Sequence, residues 1–300
     1  MRADEPVRIA ALVNSAAERL ADAGVEFPRL EAQLLLAHLM SCTRIQIVAE
    51  TCGSPTEDRL ADYAALISRR ACGEPSAYIT GRREFFGLSF AVSPAVLIPR
   101  PETEMLVELV LDYMALGSIE RVCADVGAGS GCVGIAAAVK SPSLRVLSID
   151  NSSRALEVVR SNAEHLGVKK RVRAVLADLL SPLPPNSLDI VVSNPPYIPA
   201  ADIPSLQREV TCFEPHSALN GGVDGLDLIR RIVEAAGIAL KAGGFIAIEI
   251  GEGQHESVVA LFKTAGFLRV TAHCDLAGIP RVISARSAMP AVFERLQQRL

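Results

Sequence analysis

Hydrophobic positions in the first 75 residues recur at helical spacing. Ile9, Leu12, Val13, Ala16 and Leu20 fall on one stripe, and Leu30, Leu34, Leu35 and Leu39 on a second, with Gly24 and Pro28 between them. A third amphipathic run from Pro55 to Arg70 turns Leu60, Tyr63, Ala64 and Ile67 inward and stops near Gly73 and Pro75. The spacing predicts a small helical bundle over residues 1–75. From Glu84 to Ile98 the pattern shortens to aromatic and β-branched runs around Gly87 and Pro94, which predicts a hairpin and makes 76–98 a linker.

Beyond it, short apolar runs alternate with helical ones. Arg121 to Val126, Arg145 to Ile149, Val172 to Leu176, Leu188 to Ser193 and Phe245 to Ile250 read as strands; Cys132 to Val139, Ser153 to Leu166 and Leu226 to Leu240 read as helices. The strands are continuously apolar, as a parallel sheet covered on both faces requires. Phe267 to Cys274 and Arg281 to Arg286, joined by a loop holding Gly278, predict an antiparallel hairpin at the sheet edge. The expectation for 99–300 is an α/β, Rossmann-like domain.

Composition narrows the class. The 30 Lys+Arg against 34 Asp+Glu leave a formal charge of −4, without the basic excess of a protein that binds by neutralising many phosphates. Direct nucleic-acid binding is therefore not expected. Seven cysteines, an odd number with no C-x-x-C pair, predict reduced thiols and neither a disulfide frame nor a metal site. The first residues carry acids where a secretory signal carries basic ones, and no apolar run reaches the roughly 18 residues that span a bilayer. A cytoplasmic protein without membrane contact is the expectation.

Asp125-Val-Gly127-Ala128-Gly129-Ser130-Gly131 follows the first strand and opens a helix, so it places bare backbone beside a ligand. Gly129, Gly131 and Gly134 also satisfy G-x-G-x-x-G, and Asp150 stands about 20 residues on, where an acid holds ribose hydroxyls. That spacing alone fits NAD, and with it an oxidoreductase. Asp125 argues otherwise: a carboxylate opposes a pyrophosphate but attracts the ammonium and sulfonium of S-adenosylmethionine. Asp178 and Leu179, after the third strand, are candidates for the adenine amino group and ring. Asp178 could equally cap a turn, Asp150 could mark a helix start, and the glycines could serve helix packing alone.

Asn194-Pro195-Pro196-Tyr197 ends the strand Leu188 to Ser193. Two prolines fix two φ angles and push Asn194 out of the α region, giving a rigid turn. A carboxamide or exocyclic amine nitrogen is a poor nucleophile because its lone pair is delocalised. The Asn194 side-chain oxygen and the Pro195 carbonyl can each accept one of its N–H groups and aim it, with Pro196 and Tyr197 beside it and the Tyr197 ring stacked on the flat group. The alternative is a proline turn that merely closes a strand.

With both motifs, the chain resembles the class I S-adenosylmethionine-dependent methyltransferases acting on planar nitrogens. Within these it is similar to the bacterial N5-glutamine methyltransferases of peptide chain release factors, the PrmC or HemK family. The ordered set that carries this includes Phe85-Phe-Gly-Leu88, Leu97-Ile-Pro-Arg-Pro-Glu-Thr-Glu104, Glu214-Pro-His-Ser-Ala-Leu219, Gly221-Gly-Val-Asp-Gly-Leu-Asp227, Glu249-Ile-Gly251 and Asp275-Leu-Ala-Gly278 with Arg281-Val282. The resemblance implies that Gly127 to Gly131, Asp150, Leu179 and Asn194 contact the cofactor and that Asn194 to Tyr197 hold the glutamine of a Gly-Gly-Gln loop. It also implies that the helical N-terminal domain docks the release factor. Leu179 departs from the aromatic residue of family members. Arg100 to Glu104 reads both as a helix start and as a lid. Methylation of a nucleic-acid amine such as adenine N6 would use the same turn, and a catalytically silent binding module would keep the cofactor site alone.

Overall fold

The computed structural model describes residues 8–117 and 120–288. In chain order its elements are α1 (Ile9–Asp22), α2 (Pro28–Met40), α3 (Arg44–Val48), α4 (Glu57–Ala71), α5 (Ser76–Thr80), β1 (Arg82–Phe85), β2 (Leu88–Ala91), α6 (Glu104–Ala115), β3 (Arg121–Val126), α7 (Cys132–Lys140), β4 (Leu144–Asp150) and α8 (Ser153–His165). These are followed by β5 (Val172–Leu176), β6 (Leu188–Ser193), α9 (Arg208–Phe213), α10 (Asp227–Ala239), β7 (Leu240–Glu249), α11 (His255–Thr264), β8 (Leu268–Cys274) and β9 (Pro280–Arg286). They form two compact units, one running to Arg82 and including Gln207–Phe213, the other holding Arg83–Leu206 and the chain from Glu214 onward.

The first unit is helical. α1 buries Ile9, Val13, Ala16 and Leu20, the stripe its periodicity marks. α2 starts at Pro28, whose missing N–H costs nothing at a first helical position. Its inward face is Ala32, Leu35 and Leu36; Leu30 and Leu34 are exposed and Leu39 is half-buried, contrary to the stripe read from sequence. The run Leu34-Leu35-Leu36 supports either face, and packing against α1 and α4 decides between them. On α4, Tyr63 and Ile67 point inward as expected, but Ala64 is exposed and Arg70 is buried. Arg70 reaches Glu31 at 3.0 Å and Glu209 of α9 at 2.8 Å, which ties the 207–213 excursion into this unit. A buried cation with two carboxylate partners is costly to strand by removing either one.

The second unit is a seven-stranded sheet in the order β5-β4-β3-β6-β7-β9-β8. β3 to β7 are parallel, and β9 and β8 form the antiparallel edge hairpin. One sheet face packs under α6, α7 and α8 through Leu106, Val110, Ile135, Leu156 and Val159. The other packs under α10 and α11 through Ile229, Ile232, Val233, Val258 and Phe262. Strands covered twice must be apolar on both faces, hence the continuous runs in the sequence. Strand order reverses at β3, with β4 on one side and β6 on the other, so a crevice opens at the carboxyl edge there.

β1 and β2 form a separate two-stranded sheet. Phe86 (φ 53°) and Gly87 (φ 70°) make its turn, the left-handed pair that a tight hairpin needs. The Phe86 N–H donates to Glu104 Oε1 at 2.8 Å, which fastens the hairpin tip to the start of α6.

Candidate active site

All five parallel strands deliver a polar residue or loop to the same edge. β3 ends in the glycine loop, β4 in Asp150, β5 runs on to Asp178 and Leu179, β6 ends at Asn194, and β7 at Glu249. One cleft in the second unit is lined by Gly127, Ala128, Gly129, Ser130, Asp150, Asp178, Leu179, Asn194 and Pro196. The sequence-predicted residues Gly131, Pro195 and Tyr197 adjoin these along the chain without lining the cleft themselves. Asp125, Arg100 and Thr103 also face it.

The glycine loop is made by backbone conformation. Gly127, Gly129 and Gly131 hold φ of 69°, 54° and 77°, which side chains rarely adopt. Gly127 and Gly129 have nothing within 4 Å of where a Cβ would stand, leaving the cleft beside them open to a ligand. Gly131 and Gly134 instead let neighbouring elements close on the loop. A Cβ on Gly131 would meet Ile135 at 2.8 Å, and one on Gly134 would meet Val146 at 2.6 Å and Asp125 at 2.9 Å. Half of the G-x-G-x-x-G pattern thus serves helix packing. Asp150 accepts from the N–H of Gly129 and of Ser152, both at 2.9 Å, so it shapes the loop and opens α8 while lining the cleft. Ser152 caps α8 through the Ala155 N–H.

Asp125 is buried and accepts the Gly134 N–H at 3.0 Å. Burial pushes its carboxyl up to about 7, the Gly134 hydrogen bond opposes the rise, and the Asp150 charge adds to it. Asp178 sits at the exposed rim and pairs with Arg231 of α10 at 2.6 Å. Leu179 lies at φ 53°, a left-handed conformation that costs a non-glycine residue about 1 kcal/mol. Three carboxylates on this wall suit a ligand carrying positive charge and hydroxyls, and would repel a pyrophosphate.

The opposite wall is held by side chains from far along the chain. Asn194 Nδ2 donates to Thr103 Oγ1 at 3.0 Å. The Tyr197 phenol donates to Glu249 Oε1 at 3.3 Å, and Gln254 Nε2 donates to the Tyr197 carbonyl at 2.9 Å. A Cβ on Gly221 would stand 2.8 Å from the Pro196 carbonyl oxygen, and one on Gly225 only 2.2 Å from that of Tyr197, so these glycines let the 219–225 segment close against the turn. Arg100 pairs with buried Glu214 across the cleft from the glycine loop, next to Pro215 and Ser217, which also line it. Burial lifts the Glu249 carboxyl to about 7, while the Thr103 hydroxyl, the Tyr197 phenol and the Arg281 charge favour its ionised form. Burial beside Glu249 raises the Tyr197 phenol as well, which keeps it a neutral donor.

Several of these residues carry no role that the sequence alone assigns: Thr103, Glu214, Glu249, Gln254 and Asn162. Buried Asn162 of α8 exchanges hydrogen bonds with Ala91 of β2, at 2.7 and 3.0 Å, and donates to the Ser130 carbonyl at 2.9 Å, which ties hairpin to glycine loop. Glu214 and Glu249 lie in strings that carry the resemblance, so a signal existed without a role. Asn162 sits in an ordinary amphipathic helix and gave none.

The family description "PrmC N-terminal domain" matches residues 11–81, and "Methyltransferase small domain" matches 102–208. A release factor glutamine methyltransferase of Geobacter sulfurreducens is 40% identical over 267 residues, covering 89% of this chain and 92% of that protein. Its counterpart from Moorella thermoacetica is 43% identical over 262 residues, covering 86% and 90%. Among solved structures, the hMettl16 catalytic domain in complex with the MAT2A 3′UTR hairpin 6 superposes with a TM-score of 0.56 at 16% identity, covering 75% of this chain and 83% of that one, a likeness of fold. A glycine loop over acidic residues, an Asn-Pro-Pro-Tyr turn on the facing wall and relatives at this identity across nearly the whole length have one reading: the chain belongs to the release factor glutamine methyltransferase family.

Proposed function

We propose that the chain transfers a methyl group from S-adenosylmethionine to the side-chain amide nitrogen (N5) of the glutamine in the Gly-Gly-Gln segment of peptide chain release factors. One observation carries this reading. The Asn194 carboxamide spends its Nδ2 on Thr103 and, among the described residues, nothing donates to its Oδ1 or to the Pro195 carbonyl. Two acceptors on one rigid turn, without a nucleophilic side chain between them, suit a substrate that brings its own NH2.

The residues present fit the cofactor. Gly127 and Gly129 leave backbone open to it, Asp150 retains acceptor capacity for ribose hydroxyls, Asp178 and Leu179 flank the adenine, and Asp125 meets the ammonium. Bound there, S-adenosylmethionine supplies a methyl group on a sulfonium, an electrophile with an excellent leaving group. The chain's own part is orientation. Asn194 Oδ1 and the Pro195 carbonyl accept the two amide hydrogens, turn the lone pair of the nitrogen toward the cleft and stabilise the charge that develops on it. Tyr197, fastened through Glu249 and Gln254, keeps the turn in place, and the surplus proton leaves to water.

Docking of the protein substrate falls to the helical unit, where Phe27, Leu30, Leu34, Ile45 and Val48 leave apolar surface uncovered. The reading puts the enzyme in the cytoplasm, with release factors; among the described residues no helix is long and apolar enough to cross a membrane. Incubation with labelled S-adenosylmethionine, purified release factors and total nucleic acid, followed by mass mapping, tests the assignment. Label on the glutamine is expected; label on adenine would replace this substrate with a nucleic acid.

A further inference from the structure

The carboxamide of an asparagine is nearly symmetric in shape, so sterics alone do not decide which end faces the cleft. Presenting Oδ1 gives the substrate amide an acceptor; presenting Nδ2 sets two NH2 groups against each other. The proposed function rests on the first arrangement, and something must enforce it. The sole side chain that bonds Asn194 among the described residues is Thr103, on the turn Pro101–Thr103 that precedes α6 and 91 residues away in sequence. A hydroxyl can donate or accept, so Thr103 specifies an orientation only if its own proton is already committed.

Glu249 provides that commitment. It is 2% exposed, its Oε1 takes the Tyr197 hydroxyl, and its Oε2 is buried without a hydrogen-bond partner in range. The Thr103 hydroxyl, itself 2% exposed, stands against this carboxylate and favours its charge. A buried carboxylate short of donors is expensive, and its presence here calls for a purpose.

Resting on the functional reading above, we propose that Thr103 and Glu249 are positioning residues that fix the orientation of the Asn194 carboxamide. Glu249 draws the Thr103 proton; the Thr103 oxygen is left as an acceptor only; Asn194 must then give it Nδ2 and offer Oδ1 to the substrate. Neither residue touches the reacting atoms. The chain Glu249, Thr103, Asn194 converts a charge at the end of β7 into the polarity of a group at the end of β6.

The test compares Thr103→Val, which keeps the shape and loses the acceptor, with Thr103→Ser, which keeps the acceptor and loses the methyl. With purified release factor, Thr103→Val is expected to lower kcat about tenfold or more at little change in KM, and Thr103→Ser to stay within about threefold of the unaltered chain. Calorimetric affinity for S-adenosylhomocysteine should hold within about twofold in both, since neither change touches the acidic wall. In an Asn194→Asp background, where both ends are acceptors and no orientation is needed, adding Thr103→Val should cost little more. Should Thr103→Val not fold, Glu249→Gln carries the same test, because an amide there can donate to Thr103 and release its proton; kcat is expected to fall about tenfold with the melting temperature retained. Unchanged kcat in Thr103→Val, or in Glu249→Gln, overturns the proposal, as does a Thr103→Ser variant as slow as Thr103→Val. Failure of the unaltered chain to label glutamine would overturn the functional reading and this inference together, whereas normal labelling by Thr103→Val removes only the inference.

Discussion

The two walls of the cleft are built by different means. The glycine-loop wall is local: three left-handed glycines within five residues, and Asp150 bonding Gly129 and Ser152 at sequence separations of 21 and 2. The Asn-Pro-Pro-Tyr wall is assembled from a distance, with Asn194 and Tyr197 held by Thr103, Glu249 and Gln254 at separations of 91, 52 and 57. The first wall uses backbone conformation to leave space for a ligand. The second uses buried side chains to aim two acceptors. Affinity for the cofactor and the rate of transfer should therefore fail separately, and variants on either wall can break or sharpen that division.

The largest effect is expected on the second wall. Asn194→Ala should lower single-turnover methyl transfer by about 10²-fold while calorimetric affinity for S-adenosylhomocysteine changes little. Turnover at the rate of the unaltered chain would remove Asn194 from the proposed chemistry. On the first wall, Gly129→Ala forces an alanine into φ 54° and sets a methyl group in the open cleft. It should cost about 1–2 kcal/mol in chemical denaturation and weaken cofactor binding. Its saturated rate should stay near normal if the walls are independent.

The smallest effect is one of pH. Folded and without ligand, Asp125 holds its proton up to about 7, whereas the unfolded chain releases it near 3.8. Through this group the ligand-free protein loses stability as pH rises from about 4 to about 7, because the folded state binds the extra proton. A ligand ammonium favours the ionised form and reverses that preference. Affinity for S-adenosylhomocysteine should tighten about fivefold from pH 6 to pH 7, with proton release visible as a dependence of the binding heat on the buffer. Asp125→Asn should flatten the profile; an unaltered slope would place the ammonium elsewhere.

Much of the fold is legible in the sequence. The parallel strands show because burial on both faces demands unbroken apolar runs, and the edge hairpin because its turn falls between two β-rich segments. The helical stripe of α1 shows for its clean period, whereas the stripe expected on α2 fails at Leu30 and Leu34 because three consecutive leucines fit more than one face. Helix α11 has no counterpart among the sequence expectations, nor do short α3 and α5, whose five residues each are too few to show a period. Arg70 gives no signal because a charge on an inward helix face makes sense only once Glu31 and Glu209 are seen around it.

By itself, then, the sequence determined what depends on neighbours along the chain: the left-handed glycines, the two prolines that stiffen the turn, and the alternation that brings both to one sheet edge. Tertiary structure alone decided that Thr103 stands at the Asn194 amide, that Glu249 stands behind Thr103, and that Gly221 and Gly225 make room for the turn. The reason is physical. A φ angle is set by the residue that owns it and the one that follows, whereas the direction of a hydrogen bond is set by whatever the fold brings within about 3 Å, and no local pattern encodes that.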